Sequence, residues 1–436
     1  MSSPEAMRRA LAGRVAAIAA RGAAAHEEEF GQLAARLARR GVDVEALLAR
    51  LAALRIAVPS WALGTGGTRF GRFPEAGEPA TLFQKIDDVA ALDALTGANG
   101  EVSLHIPWDE PGDVAATRQY LEASRVACGP VNSNTFQDGA RPNDPRASWK
   151  FGSVSNVFDA ARERAVEHNL HVVELGERLG SRALTVWLPD GSNHPGQHDF
   201  RGALDRTIDS LRRVHEALPP GWSMYTEHKP FEPAFYSSVN PDWGASLLIA
   251  RELGDNCRCL VDLGHHLPNA NIEQIVAMLL RERRLGGFHF NDSSYGDDDL
   301  TAGSIRPYRL FLVCCELAAG EADGLVDDHP LDLMIDASHN IKDPMEDILQ
   351  STEAILLAHA QAFLVDREAL GAARAGNDAA LAQEVLQDGF RTDARPLLRE
   401  MRRRKGAALD PLRAFREIGY RAEAAARRGH ARATGL

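Results

Sequence analysis

Four apolar runs of strand length, each ending in acidic or imidazole side chains, constrain this chain most. The runs are WSMYTEHK at 222–229, CRCLVDLGHH at 257–266, LGGFHFND at 285–292 and LDLMIDAS at 331–338. A segment of helical pattern separates each run from the next, which is typical of βαβ units in a parallel sheet. Charged groups at the ends of buried strands are costly unless something compensates them. Several such groups at one edge of one sheet indicate a divalent cation.

Four more strand-length runs precede these and extend the same pattern toward the N-terminus. They lie at 56–63, 101–108, 125–132 and 182–193. Eight strand–helix units predict an α/β fold, specifically a (β/α)8 TIM barrel, which typically needs about 250 residues. A doubly wound open sheet is the alternative, because a count of strands does not establish closure.

The chain is predicted to have helical segments before and after the barrel. Residues 1–55 form an N-terminal helical segment, in which Asp43 is a candidate N-cap, and 56–360 form the catalytic barrel. Residues 361–436 form an Arg-rich C-terminal helical extension, expected to be packed and to end in a solvated tail. The first 25 residues resemble a transit peptide in composition, but the acidic run Glu27 to Glu29 favours a surface helix.

Charge and composition exclude several classes of function. A net charge of −12 argues against a nucleic-acid partner, which needs a basic surface. No apolar run approaches the roughly 20 residues of a membrane span. The five cysteines form no CxxC pair, which predicts buried thiols and a reducing cytoplasm. Glycines follow the first strand, but Arg69 occupies the third glycine position of GxGxxG, so we expect a tight loop.

Functional groups of a (β/α)8 barrel gather at the C-terminal ends of its strands. The candidates here are His105, Trp187, Glu227, Asp262, His265, His289, Asp297, Asp299 and Asp336. Singly, each has a structural explanation, such as a helix cap or a hydrogen-bonded core histidine.

As a set, these residues predict two divalent cations. Glu227, Asp262, His289 and Asp336 can surround one ion, and His265, Asp297 and Asp299 can hold a second. Convergence of the two aspartates of the second group requires an irregular loop, which the glycine before them permits. Ligands that are mostly oxygen favour Mn²⁺, Co²⁺ or Mg²⁺ over structural Zn²⁺.

The motifs EHK at 227–229, DLGHH at 262–266, HFND with the following DDD, and DASHN at 336–340 resemble the xylose isomerase-like superfamily. Within it, the region 56–345 is most similar to the shorter, broad-specificity bacterial L-rhamnose isomerases. The resemblance implies a structural ion on the first group of ligands and a catalytic ion on the second, with Mn²⁺ preferred. It also implies a homotetramer in which Phe70 reaches a neighbouring subunit's pocket.

The reaction implied is conversion of L-rhamnose to L-rhamnulose by a metal-assisted 1,2-hydride shift, with side activity on aldoses such as D-allose. Two cations can hold adjacent oxygens and polarise the carbonyl. Lys229 is expected to polarise the substrate oxygen, and a metal-bound water beside Asp336 to move the hydroxyl proton. His105 is a candidate for ring opening or a hydroxyl contact. The remaining predicted substrate contacts are Trp187, Asn193 and Ser338.

Three other functions compete with this interpretation. A single-metal sugar epimerase of the same superfamily would act through an enediolate and would not need the second ligand group. A metal-dependent phosphodiesterase would need a basic groove, which this acidic chain does not predict. A sugar-binding protein without catalysis would not require ligands for two ions.

Overall fold

The structure is a computed structural model, and it describes residues 4–64, 73–188, 190–231, 237–326, 331–337 and 341–429. Phe70, Ser338 and most of the glycine-rich loop lie outside the described residues. The α/β class predicted from the sequence is confirmed, because helices alternate with parallel strands along the chain.

Helices begin and end the described chain and separate most of the strands. The α-helices are α1 (Pro4–Arg39), α2 (Val44–Ala53), α3 (Leu82–Thr96), α4 (Val114–Ser124), α5 (Asp159–Leu179), α6 (Phe200–Glu216), α7 (Trp243–Leu253), α8 (Ile272–Arg281), α9 (Pro307–Ala322), α10 (Pro344–Phe363), α11 (Arg367–Ala375), α12 (Ala379–Arg391), α13 (Arg395–Lys405), α14 (Pro411–Ile418) and α15 (Tyr420–Arg428). Short 3-10 helices lie at Ser60–Leu63, Pro145–Ala147 and Trp149–Phe151.

The strands are short and mostly buried. They are β1 (Val58–Pro59), β2 (Glu101–Ser103), β3 (His105–Ile106), β4 (Ala127–Cys128), β5 (Val131–Ser133), β6 (Ala183–Trp187), β7 (Gly191–Ser192), β8 (Ser223–Glu227), β9 (Ser237–Ser238), β10 (Cys257–Asp262), β11 (Leu285–Phe290) and β12 (Asp332–Ile335). All six residues of β11 are buried, as expected for a parallel strand covered on both faces.

The parallel strands form a curled sheet whose edges are joined. One sheet runs in the order β12-β11-β10-β8-β6-β5-β3, and a smaller one runs β1-β2-β4. Only Leu104 separates β2 from β3, so the two sheets continue into each other. Ala57 then joins the first strand to the last: its N–H lies 2.8 Å from Leu333 O, and its carbonyl accepts from Ile335 N–H at 3.1 Å. The ladder of parallel strands therefore returns to its starting point.

Two predicted strands are shorter than the sequence indicates. The run at 56–63 leaves the sheet after Pro59 and forms the 3-10 helix Ser60–Leu63, which brings Trp61 beside the last strand. The run at 182–193 ends its parallel pairing at Trp187, and Gly191–Ser192 pairs antiparallel with Ser237–Ser238 instead. Both differences reflect long-range backbone pairing, which a local pattern does not contain.

The helical segments at the two ends of the chain pack together and against the barrel region. Asp43 caps α2 as predicted, because its side chain accepts from Ala46 N–H at 3.0 Å. Helix α1 packs against α3 and α13. The division into three segments stays a prediction, and the boundary placed after residue 360 falls inside α10.

The predicted buried thiols are confirmed, since Cys257 and Cys259 are free and buried. Among the described residues, no single helix has both the length and the apolar character to cross a membrane. One bent pair, Pro344–Phe363 with Arg367–Ala375, meets those criteria on length and composition alone.

Candidate metal centre and adjoining cavity

Four side chains at the ends of neighbouring strands meet in one place. Glu227 ends β8, Asp262 ends β10, His289 lies near the end of β11, and Asp336 follows β12 directly. One ligand atom from each lies within 4.8 Å of the ligand atoms of the others. Opposite ligands of an octahedral cation are about 4.2 Å apart when each is about 2.1 Å from the ion. The four donors therefore suit a single divalent cation.

Asp262 presents one oxygen that has no hydrogen-bond partner among the described residues. Its Oδ1 accepts from the backbone N–H groups of Gly264 at 2.7 Å and His265 at 3.2 Å, and from the Asn291 amide at 2.9 Å. Its Oδ2 is buried and unpartnered. A buried carboxylate oxygen without a partner is costly. A cation at the cluster would remove that cost.

Asp336 is held in the same manner. The indole N–H of Trp61 donates to its Oδ1 at 2.9 Å, and its Oδ2 lies 3.9 Å from His289 Nδ1. One oxygen is thus fixed by a hydrogen bond from outside the cluster, and the other approaches the remaining ligands.

The buried carboxylates of the cluster favour a positive charge among them. Burial raises the pKa of the carboxyls of Asp262 and Asp336. Burial alone would lower the pKa of His289, but the negative charges of Glu227 and Asp336 outweigh it and raise that pKa to about 9. Without a metal, protonated imidazole partly neutralises the carboxylates, and a divalent cation would supply the same compensation.

The second predicted ligand group adjoins the first. His265 Nε2 lies 3.1 Å from Asp297 Oδ1, and His265 Nδ1 lies 3.2 Å from Glu227 Oε1. The irregular loop that the sequence predicts is present, because Gly296, Asp297 and Asp299 have φ values of 117°, 57° and 49°. This left-handed backbone brings both aspartates to the wall of one cavity.

Lys229 lies between this group and an aromatic surface. Its ammonium is 2.6 Å from Asp297 Oδ2 and 4.8 Å from the centre of the Trp187 ring. Phe136 meets Trp187 edge-on at 5.0 Å and stacks on Trp108 at 5.4 Å. The Trp187 ring lines the cavity and gives it an apolar side next to a buried charge.

His105 is buried and held from behind by a polar network. Its backbone N–H donates to Asp109 Oδ2 at 2.8 Å, and its Nδ1 lies 3.4 Å from Ser60 Oγ, which donates to the same carboxylate. Lys85 pairs with Asp109 at 2.6 Å. Burial lowers the pKa of His105 to about 4. The imidazole is therefore neutral at neutral pH and can both donate and accept a hydrogen bond.

One cavity collects most of the predicted site residues. It is lined by Trp61, His105, Asn132, Asn134, Trp187, Glu227, Lys229, His265, His289, Asp297, Asp299 and Asp336. Asp262 is fully buried beside it. Asn193 is exposed and lies outside this lining, because its segment pairs with β9. The roles predicted for Phe70 and Ser338 concern residues outside the described part of the chain.

Sequence reasoning missed three residues of the lining. Trp61 sits in the 3-10 helix that was predicted as strand, and Asn132 and Asn134 lie at the end of the third predicted strand. The motif VNSN carried a usable signal, since polar residues two apart at a strand end share a face.

Two curated proteins are similar to nearly the whole chain. A protein of Rhizobium meliloti named a probable sugar isomerase is 51% identical over 403 residues, which is 92% of each chain. A second probable sugar isomerase, from Mesorhizobium japonicum, is 51% identical over 404 residues, again 92% of each chain. The chain belongs to this sugar isomerase family. No family model matches it.

Two solved structures share the fold of this chain. A xylose isomerase domain protein of Alicyclobacillus acidocaldarius has a TM-score of 0.50 and 14% identity, covering 71% of this chain and 99% of that one. A D-tagatose 3-epimerase-like protein has a TM-score of 0.50 and 16% identity, covering 70% and 98%. At this identity the likeness shows the fold alone.

Proposed function

We propose that this sugar isomerase is a metal-dependent aldose–ketose isomerase on a (β/α)8 barrel, converting L-rhamnose to L-rhamnulose, with side activity on aldoses such as D-allose. The observation that carries the proposal is the four-ligand cluster with a second group of His265, Asp297 and Asp299 beside it. Two divalent cations per subunit, Mn²⁺ first and Co²⁺ or Mg²⁺ as alternatives, suit this donor set.

The cations, when bound, would hold two adjacent sugar oxygens and polarise the carbonyl. The chain's own groups supply binding and proton movement. The Lys229 ammonium, 3% exposed, lies at the cavity wall, where it can stabilise negative charge on a substrate oxygen. The neutral His105 imidazole can move a proton at the ring oxygen during opening, and a water beside Asp336 can take the hydroxyl proton. Trp187 covers the apolar C–H face of the sugar and excludes water.

A single-metal epimerase acting through an enediolate is the second candidate. It would need the four-ligand cluster but not the second group. The position of His265 between Glu227 and Asp297 therefore favours the isomerase. The two reactions differ in product class. From a ketose, an isomerase forms an aldose, and an epimerase forms another ketose.

The deciding experiment incubates Mn²⁺-loaded protein with L-rhamnulose and, separately, with a panel of other ketohexoses, and identifies products by chromatography. We expect L-rhamnose as the main product. Formation of an epimeric ketose without any aldose would overturn the proposal in favour of the epimerase.

The hydride shift has its own test. L-Rhamnose carrying deuterium at C2 should keep the label in L-rhamnulose, because hydrogen moves directly between the carbons. Extensive loss of label to solvent would replace this route with an enediol mechanism.

We also propose a cytoplasmic homotetramer. A mass of four chains measured by light scattering would support that assembly.

A further inference from the structure

The cavity wall has two chemically different halves. The carboxylates that the structure describes in the wall come from β8, from the turn after β11 and from the residue after β12. The other half comes from β3, β5 and β6, and it offers His105, Asn132, Asn134 and Trp187. These strands are neighbours in the sheet, and His105 is in register with Asn132. One half therefore carries the ionised side chains, and the other is neutral, polar and aromatic.

Asn132 and Asn134 are fixed by the backbone of the neighbouring strand. The Asn132 amide N–H groups donate to Ser103 Oγ at 2.8 Å and Leu104 O at 3.2 Å. The Asn134 amide donates to Ile106 O at 3.1 Å. Both side chains are nearly buried, at 4% and 6% exposure. The orientation of each amide is thus set before any ligand arrives.

Because the side-chain N–H groups already donate to the protein, the two side-chain carbonyl oxygens remain for a ligand. Neither Oδ1 accepts a hydrogen bond from a residue in the described part of the chain. Asn132 and Asn134 are two apart on an extended strand, so their side chains share a face, and both line the cavity. Two fixed acceptors side by side suit a ligand with several hydroxyl groups.

We propose that the Oδ1 atoms of Asn132 and Asn134 accept hydrogen bonds from two hydroxyls of the sugar beyond its reacting carbons, and so determine which aldoses the site accepts. This proposal rests on the proposed function. The cation-binding half takes the carbonyl and the adjacent hydroxyl, so the rest of the polyol chain faces β3, β5 and β6. A sugar without one of these hydroxyls would leave a desolvated acceptor unpaired, which binding sites penalise strongly.

The test pairs each asparagine variant with sugars lacking one hydroxyl. In the Mn²⁺-loaded protein, kcat/KM is measured for L-rhamnose and for its 3-, 4- and 5-deoxy analogues. We expect the wild type to prefer L-rhamnose over one analogue by about 10-fold or more. In Asn134→Ala this preference should fall toward unity for one hydroxyl only, and Asn132→Ala should affect a different one. The proposal would be overturned if a variant lost its preference for L-rhamnose equally against all three analogues, or if it kept the preferences of the wild type.

Two further variants separate recognition from folding. Asn99 is a buried asparagine that does not line the cavity, and its amide donates to Ile56 O at 3.0 Å. Asn99→Ala should therefore leave every sugar preference unchanged. Asn134→Asp loses the hydrogen bond to Ile106 O but keeps an oxygen acceptor, so it should keep more of the preference than Asn134→Ala does. Loss of the preference in Asn134→Asp and Asn99→Ala alike would assign the asparagines a structural role and contradict the proposal.

Calorimetric binding of the corresponding alditols separates this inference from the proposed reaction. Alditols cannot isomerise, so their affinities report recognition without turnover. Hydroxyl-specific loss of alditol affinity in the asparagine variants of a protein without isomerase activity would sustain the inference and reject the reaction. Isomerase activity without a hydroxyl-specific loss of alditol affinity would support the reaction and reject the inference.

Discussion

Trp61 and Asn291 each fix one oxygen of a carboxylate and leave its other oxygen toward the cation cluster. Trp61 donates to Asp336 at 2.9 Å, and Asn291 donates to Asp262 at 2.9 Å. Groups outside the ligand set that orient ligands are worth about 10- to 100-fold in metal affinity. The indole N–H of Trp61 is therefore a positioning group as well as part of the cavity wall.

Trp61→Phe should weaken Mn²⁺ binding by about 10-fold, because the ring remains while the hydrogen bond to Asp336 is lost. Isothermal titration of metal-stripped protein measures the change. Trp187→Phe is the matched control, since the Trp187 Nε1 has no hydrogen-bond partner among the described residues. Equal Mn²⁺ affinity in Trp61→Phe and wild type would contradict the positioning role.

Glu101 is the first residue of β2 and lies at the opposite end of the strands from the metal centre. It should make the free energy of unfolding depend on pH. Burial, followed by the negative charge of Asp332, raises the pKa of its carboxyl from 4.5 to about 7. Since the folded-state pKa is the higher one, stability is full below the unfolded pKa and is lost as pH rises through the folded pKa.

Glu101→Gln should therefore raise the free energy of unfolding at about pH 8, by up to about 3 kcal/mol, and change it little at about pH 5. Urea unfolding at the two pH values measures this difference. Glu177→Gln, on the exposed face of α5, is the control and should change the free energy of unfolding little. A stabilisation of the same size at both pH values would exclude ionisation of Glu101 as the cause.

At the residue scale, the sequence predicts side chains that follow clear apolar runs. Glu227 and Asp262 end such runs, and the structure brings their carboxylates together. Trp61 was not predicted, because the turn that carries it looks like an extension of its strand. Asn132 was not predicted either, although it ends the third predicted strand, because its position in the wall depends on hydrogen bonds to Ser103 and Leu104.

Helix α15 is the element that the sequence explains least. Arg421 pairs with both oxygens of Asp343, at 2.6 and 2.8 Å, and Arg428 pairs with both oxygens of Asp88, at 2.9 and 2.7 Å. Both arginines donate to Gly77 O, at 2.9 and 3.1 Å. A side chain at Gly77 would lie 2.6 Å from Ala425 N, so only glycine allows this approach. The packing of α15 is therefore in line with the predicted packed extension, and the solvated tail predicted after it falls at 430–436, outside the described residues.

Arg428→Met should destabilise the fold by about 3 to 5 kcal/mol, because it leaves the fully buried Asp88 without its ion-pair partner. Thermal and urea unfolding measure the loss. Arg427→Met changes an exposed neighbour on the same helix and should cost little. Adding Asp88→Asn to Arg428→Met should recover part of the stability. No recovery in the double variant would contradict the buried-charge explanation.

At the element scale, helices and strands follow from periodicity, and their mutual pairing does not. Asp88 and Arg428 lie 340 residues apart, so no local pattern links them. The same holds for Ala57, whose two hydrogen bonds join the first strand to the last.

At the scale of the whole molecule, helices from the two ends of the described chain pack together, α1 against α13. In this contact between α1 and α13, the buried His26 lies 3.0 Å from Glu400. Arg404 links Glu400 to Glu45 of the second helix, at 2.8 and 2.5 Å. The Arg-rich extension therefore neutralises acidic groups of the chain itself, which accounts for basic clusters in an acidic protein.

The candidate site depends on the whole parallel sheet, because its donors come from strands far apart in sequence. From the sequence alone, the order of strand-end residues predicts one shared edge, since parallel strands end on the same side. It does not predict which half of the wall is neutral, because that depends on the side-chain contacts of β3, β5 and β6.

The most direct test of a metal-dependent aldose–ketose isomerase is the conversion of L-rhamnose by metal-stripped protein before and after addition of Mn²⁺. We predict no L-rhamnulose from the stripped protein, formation of L-rhamnulose when Mn²⁺ is restored, and a large loss of that activity in folded Asp336→Asn. Equal conversion with and without metal, or no ketose from any aldose despite bound Mn²⁺, would contradict this account.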